Sequence, residues 1–224
     1  MCGRFALTAP ASDIAEIFQV DVLPDVLPRY NVAPTTQVQC VVDDAGTRSL
    51  QTFRWGLIPG WAKDRKIATR TLNARAETAS SKPAFRAAFK RRRLLVLADG
   101  FYEWERIDKK NKIPHLIQVQ GGTPFGMAGL WERWTDPETQ QEVRSCTIVT
   151  TSGNALMKPI HDRMPVILPS HTWDLWLDPS VNDKEVLQEL LVPYAGPMQE
   201  RAVSRTVGNV KNRGPEVQGP FEDA

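Results

Sequence analysis

The sequence predicts a mainly antiparallel sheet, curled, with a few helices around its rim. Its apolar runs are mostly short and strand-like. Gly and Pro punctuate them at hairpin-like spacing, and helix-like stretches are fewer. In chain order the expected strands are 4–7, 37–42, 49–55, 94–98, 102–107, 115–120, 126–130, 145–150, 165–168 and 200–203. A helix is expected over 12–18, where Ser12 is a good capping residue, and another over 83–89, with Pro83 in its first turn. Two more follow, over 171–177 after Pro169-Ser170 and over 183–191, which ends at Pro193. There is no internal repeat. Residues 1–213 read as a single domain, and the polar, turn-rich segment 214–224 reads as a loose tail.

A chain of 224 residues can bury one substantial core without a second domain. Its 42% hydrophobic and 24% charged residues are ordinary for a globular protein. No apolar run approaches membrane-spanning length and no secretory signal is visible, so no membrane partner is expected. Cys40 and Cys146 lie in strand-like runs and read as small core hydrophobes in a reducing compartment. Three cysteines and three histidines without CxxC or HxxxH spacing argue against a structural zinc site. The expectation is a cytoplasmic, metal-free protein without a cofactor, monomeric by default.

Net charge is +2, which excludes a strongly cationic nucleic-acid packager. The run Lys90-Arg91-Arg92-Arg93 follows a predicted helix, where its dipole favours cations. Arg4, Arg54, Arg75, Arg86 and Arg163 differ, because each lies inside or beside a distinctive motif. Their number fits a groove that tracks phosphates.

The chemistry starts at the second residue of Met1-Cys2-Gly3-Arg4-Phe5. Removal of Met1 leaves an α-amine and a thiol on adjacent carbons, with ordinary pKa values of about 7.7–8.0 and about 8.5. Such a 1,2-aminothiol condenses with an aldehyde to a Schiff base that sulfur closes into a thiazolidine. It can also cleave amides, its own amine serving as base. The bland alternative for Cys2 alone is an accident of translation followed by a strand.

Other motifs are richer in Trp, Arg and Asn than a core needs. Arg29-Tyr30-Asn31-Val32-Ala33-Pro34 reads as a rigid loop before a strand. In Arg54-Trp55-Gly56-Leu57-Ile58-Pro59-Gly60-Trp61, Trp55 reads as core and Trp61 as an exposed platform for a base, where stacking contributes about 1–3 kcal/mol. In Asn73-Ala74-Arg75-Ala76-Glu77-Thr78, alternation lets Asn73 and Arg75 face one groove while Glu77 pairs internally. A polar loop fixing its own backbone is the alternative. In Asp99-Gly100-Phe101-Tyr102-Glu103-Trp104-Glu105, Tyr102 and Trp104 share one face and Glu103 the other, toward a cleft, with Glu105 as surface charge. His161, in Ile160-His161-Asp162-Arg163-Met164-Pro165, suits a general acid or base, whereas His115 and His171 read as structural.

Taken in order, these segments and Val203-Ser204-Arg205-Thr206-Val207-Gly208-Asn209-Val210-Lys211-Asn212 closely resemble the SOS response-associated peptidase, or abasic-site processing, family. The resemblance runs from Met1 to about Arg213. It implies an α+β fold of mainly antiparallel sheets curled into a pseudo-barrel with peripheral helices. It also implies binding of single-stranded DNA containing abasic sites and a thiazolidine link from Cys2 to the ring-opened deoxyribose, with lyase or self-cleaving peptidase activity alongside. By position, Asn73 would hold the opened sugar, Glu103 would assist ring opening and amine activation, and His161 would handle a proton at the sugar oxygen. Arg4, Arg75, Arg86 and Arg163 would contact phosphates, while Trp61 and Trp104 would line the DNA-binding face. Three rivals remain on the residues: a glutamine amidotransferase beginning Met-Cys-Gly, a non-catalytic single-stranded DNA module, and a peptidase acting on other proteins. Ammonia release from glutamine separates the first, and indifference to Cys2 and to abasic sites the second.

Overall fold

A computed structural model describes residues 2–21, 26–44 and 46–222. In chain order the elements are β1 (Phe5–Leu7), α1 (Ala11–Phe18), β2 (Arg29–Val32), β3 (Gln37–Asp44), β4 (Thr47–Trp55), β5 (Asn73–Arg75), α2 (Ala76–Ala79), α3 (Arg86–Arg91) and β6 (Arg93–Ala98). They continue as β7 (Gly100–Arg106), β8 (Lys112–Val119), β9 (Phe125–Thr135), β10 (Glu142–Ser152), β11 (Arg163–Pro165), β12 (Ile167–Leu168), α4 (Trp173–Leu177), α5 (Lys184–Glu189) and β13 (Met198–Ala202). Short 3₁₀ turns include Arg65–Arg70, Arg205–Gly208 and Pro215–Gln218.

Strands β4, β3, β6, β9 and β10 pair in that order, and β10 pairs back with β4, closing a small barrel. Strands β5 and β11 extend β10, and β12 pairs with β9. The β10 pairings with β4 and β5 are parallel, and the other pairings of the described strands run antiparallel. Because side chains alternate across a strand, one set of residues fills the barrel, including Cys40, Phe53, Val96, Met127, Cys146 and Ile148. The alternate set, including Val41, Leu95, Ala128 and Leu130, faces outward against Phe18, Phe89, Trp176 and Leu187 of the helices. Space inside is tight: a Cβ at Gly129 would run into Leu94 Cδ1 and lie 3.1 Å from the Thr147 carbonyl oxygen.

A second sheet, ordered β13-β8-β7-β1-β2, lies beside the barrel. Its inner face adds Phe5, Phe101 and Ile117 to the barrel core, with Phe5 and Trp55 rings 5.2 Å apart. Its outer face carries Ala6, Tyr102 and Leu116, which pack against Val203, Val207 and Val217 from the C-terminal segment. The α+β class and the curled antiparallel sheets thus match the expectation.

Several local expectations need correction. The segment expected to be a loose tail is docked through Pro220: Val217 is fully buried, Gln218 Nε2 donates to the Tyr102 hydroxyl at 3.0 Å, and Val203 bridges Pro220. Val217, on a short turn, joins Val203 and Val207 in closing the outer face of the second sheet. Residues 223–224 lie outside the described residues. Helix α1 starts at Ala11 after Pro10 without a side-chain cap; Ser12 bonds Asp13 instead. Pro83 lies in a turn ahead of α3 rather than in its first turn. Residues 29–32, read as loop, form a strand paired with β1. Of the basic run only part is solvated. Arg93 is buried, donating to the carbonyls of Phe89, Lys90, Trp176, Asp178 and Val181, while Arg92 pairs with Glu132.

Candidate active site

Strand β1 carries the second residue of the chain to the junction of sheet and barrel. The Tyr102 N–H donates to the Arg4 carbonyl at 2.9 Å and Phe5 stands in register with Phe101, so the residues before Phe5 run beside Glu103. Cys2 is fully buried within the barrel core. Its carbonyl accepts a hydrogen bond from Asn73 Nδ2 at 2.9 Å. Asn73 pairs with Ile148 of β10, whose side chain faces the same core, and this register aims Asn73 at Cys2. Burial pushes the Cys2 thiol far up, the charge of Glu103 adds to the shift, and a backbone hydrogen bond from Arg4 opposes it. The thiol therefore rests neutral rather than as a ready thiolate. Met1 lies outside the described residues.

Glu103 is 4% exposed and projects from β7 on the Phe101 face. Burial raises its carboxyl above the usual range. A carboxyl shifted this way exchanges protons closer to neutral pH, as a general acid or base must. His161 ends a tight loop before β11. Its Nδ1 accepts the Arg163 backbone N–H at 2.9 Å and also lies 2.9 Å from Asp162 Oδ1. A backbone N–H can only donate, so Nδ1 carries no proton and the ring proton sits on Nε2. The Asp162 side chain is largely exposed and can turn into water, whereas the Arg163 N–H is fixed in the backbone, so the backbone contact sets the tautomer.

One acceptor stands ready beside these groups. Asn73 Oδ1 is buried and has no hydrogen-bond partner among the described residues. A buried unsatisfied amide oxygen costs free energy, on the order of 1–3 kcal/mol, that a ligand hydroxyl would recover. Cys2, Asn73, Glu103 and His161 thus lie together at one place in the fold. No group of three or more His, Cys, Asp or Glu side chains among the described residues is arranged to hold a metal.

The expected DNA-contacting residues divide. Trp61 is 62% exposed while Trp55 is fully buried, in line with the exposure and burial read for each. Arg75, two residues from Asn73 on the same strand face, and Arg86, at the start of α3, are both exposed. Arg163 is committed inward, its two terminal nitrogens clasping the Glu77 carboxylate at 2.5 and 3.0 Å while one also donates to the Thr150 carbonyl. Arg4 donates to Asn31 Oδ1 at 2.8 Å and to the Val207 carbonyl at 2.7 Å. Trp104 shares the outer face of β7 with Tyr102, opposite Glu103, and packs against the C-terminal cluster.

Sequence reading left Asn31 without a task. It is buried, accepts from Arg4 and donates to the carbonyls of Val207, Asn209 and Asn212, pinning the last motif of the chain to β2. No local signal marks it, because its carbonyl partners lie 176 to 181 positions away. Glu105, read as surface charge, instead meets His115 Nε2 at 3.1 Å, while Glu200 holds Nδ1 at 2.6 Å.

Comparison with known proteins gives a consistent result. The family model described as SOS response associated peptidase (SRAP) matches residues 1–210. Abasic site processing protein YoqW of Bacillus subtilis (strain 168) is 46% identical over 221 residues, covering 97% of this chain and 98% of the relative. Abasic site processing protein YedK of Escherichia coli (strain K12) is 32% identical, covering 98% of this chain and 100% of the relative. A crystal structure of a protein from Bacteroides thetaiotaomicron superposes with a TM-score of 0.86 at 29% identity, covering 98% of this chain and 99% of that one.

Proposed function

The chain belongs to the SOS response associated peptidase family, and on that premise we propose that it processes abasic sites in single-stranded DNA by covalent capture through Cys2. The observation that carries this reading is the convergence of Asn73, Glu103 and His161 on the second residue of the chain. An abasic sugar is mostly a closed hemiacetal, so the aldehyde must first be released. His161 donates its Nε2 proton to the ring oxygen as the carbon–oxygen bond breaks, and Glu103 takes up the proton shed by the anomeric hydroxyl. Asn73 Oδ1 accepts from a hydroxyl of the opened sugar and holds it beside Cys2.

Once Met1 has been cleaved off, the neutral amine of Cys2 adds to the aldehyde, Glu103 returns the proton it took up, and one water leaves, giving an iminium. The thiol adds to the iminium carbon and releases its proton, closing the five-membered ring. The neutral thiol suits this order, since amine attack comes first and sulfur follows. Without sulfur closure the Schiff base would favour β-elimination and strand scission, the lyase outcome. Closure removes the iminium and leaves a shielded lesion in an unbroken strand.

Incubation with single-stranded DNA bearing one abasic site, followed by denaturing electrophoresis, tests the proposal. Wild type should give a heat-stable adduct. Cys2→Ala should abolish it while keeping non-covalent DNA affinity, because Ala retains the amine but cannot close the ring. A full yield of stable adduct from Cys2→Ala would overturn the assignment.

A further inference from the structure

His161 owes its place to a loop held by hydrogen bonds within itself. The Gly153 N–H donates to the Asp162 carbonyl at 2.8 Å and closes the loop at its base. Inside, the Met157 carbonyl accepts the N–H groups of Ile160 at 2.9 Å and His161 at 2.8 Å. Met157 is itself fully buried in the core that holds Cys2. The loop is thus plugged into the site by Met157, with Leu156 packed against the same core, and the position of His161 follows from the position of Met157.

Asn154 sets Met157. Its Oδ1 accepts the Met157 N–H at 3.1 Å, and its carbonyl accepts the Lys158 N–H at 3.0 Å. Its Nδ2 donates to the Tyr194 carbonyl at 2.9 Å and lies 3.3 Å from Met198 Sδ, tying the loop to the segment that leads into β13. An Asn side chain uses acceptor and donor at once here, which neither Ala nor Asp reproduces. Gly153 guards the same geometry from the other side. A Cβ there would lie 2.8 Å from the His161 carbonyl oxygen and 3.2 Å from Met157 Cβ, so the backbone of His161 would have to move.

We propose that Asn154 is a positioning residue: it fixes the 153–162 loop so that His161 Nδ1 accepts the Arg163 N–H and its protonated Nε2 serves the capture reaction. The catalytic half of this statement rests on the function proposed above; the positioning half does not. If the loop loosens, the Nδ1 contact is lost, the ring samples both tautomers, and the proton is no longer held on Nε2.

Two readouts test the two halves separately. Two-bond proton–nitrogen NMR of the imidazoles reports the His161 tautomer without any DNA. Wild type should show Nδ1 as an unprotonated acceptor, and Asn154→Ala should show averaged tautomers. Asn154→Asp, which keeps the acceptor for Met157 but loses the donor to Tyr194, should fall between them and carries the same test should the Ala variant not fold. Gly153→Ala should also disturb the His161 signals. In crosslinking time courses, Asn154→Ala should slow adduct formation at least about tenfold, within the range that one acid–base group supplies. Combining it with His161→Ala should slow the reaction no further than His161→Ala alone, because both act through one ring. An unchanged His161 tautomer in the folded variants overturns the positioning role whatever the rates. An altered tautomer with fully additive rate losses overturns action through His161. An altered tautomer in a protein that never crosslinks leaves positioning intact and removes the capture reaction.

Discussion

Glu103 carries opposing demands on one side chain. Burial holds its carboxyl pKa up, so the folded chain binds that proton more tightly than the unfolded chain, whose ordinary value is 4.5. The sign follows: stability from this group is greatest at low pH and is lost as pH rises through the raised folded value. Glu103→Gln removes that loss. It should melt higher than wild type at neutral pH and flatten the fall in melting temperature above pH 5, yet crosslink more slowly. A variant less stable than wild type at pH 8 would refute the argument. Arg75 and Arg163 also separate at this scale. Arg75 is exposed, so Arg75→Ala should reduce the salt dependence of single-stranded DNA binding by a log–log slope of about 0.7, one phosphate's worth. Arg163 is already clasped by Glu77, whose carboxyl its hydrogen bonds hold below the ordinary range. Arg163→Ala should therefore lower the melting temperature, most clearly above pH 5 where Glu77 is charged, and change the salt slope less than Arg75→Ala. Equal slopes from the two variants would contradict this division.

At the scale of elements, Arg93 shows how a side chain can staple two helix ends at once. From the first residue of β6 it donates to five carbonyls at 2.5–2.9 Å, drawn from the ends of α3 and α4 and the turn after α4. Burial lowers its pKa to about 10, still well above neutrality, so the charge persists inside. Arg93→Ala should lower stability on the order of 3 kcal/mol, read as a lower urea midpoint, since carbonyls that helix ends leave open lose their donor. A midpoint unchanged from wild type would show that water replaces the guanidinium without cost. This staple also shows why part of the fold was legible in the sequence and part was not. Strands such as β3 and β6 announce themselves by apolar alternation over their own length. Arg93 reads as one more cation in a basic run because its carbonyl partners lie up to 88 positions away. Strand β5 is equally hidden, since three residues become a strand only by pairing with β10. The site divides on the same line. Cys2, Asn73, Glu103 and His161 stood out by residue type within short motifs, whereas Asn31 and Asn154 act on backbone groups of distant segments that no local pattern reveals.

The whole molecule is organised around the second sheet, which presents Glu103 to the barrel on one face and Tyr102 to the C-terminal segment on the other. The Tyr102 hydroxyl donates to the Tyr30 carbonyl at 2.6 Å and accepts from Gln218, and burial lifts its pKa to about 12. Around it, Ser204 N–H donates to the Gly219 carbonyl at 2.9 Å and Arg201 to the Gln218 carbonyl at 2.7 Å. The last residues therefore brace the back of the strand that carries the proton handler. A chain ending at residue 213 would lose Val217 from its buried site and leave Leu116, Val203 and Val207 facing water. Burial of one aliphatic side chain contributes about 1.5–3 kcal/mol, and the lost hydrogen bonds add to it. The truncated chain should melt several degrees lower, bind an apolar dye that the full chain does not, and crosslink abasic DNA more slowly because β7 is less firmly held. Melting curves, dye fluorescence and crosslinking time courses on the two chains make the comparison. If truncation leaves all three unchanged, the C-terminal segment contributes nothing to the site, and the bracing of Glu103 must come from within the sheet alone.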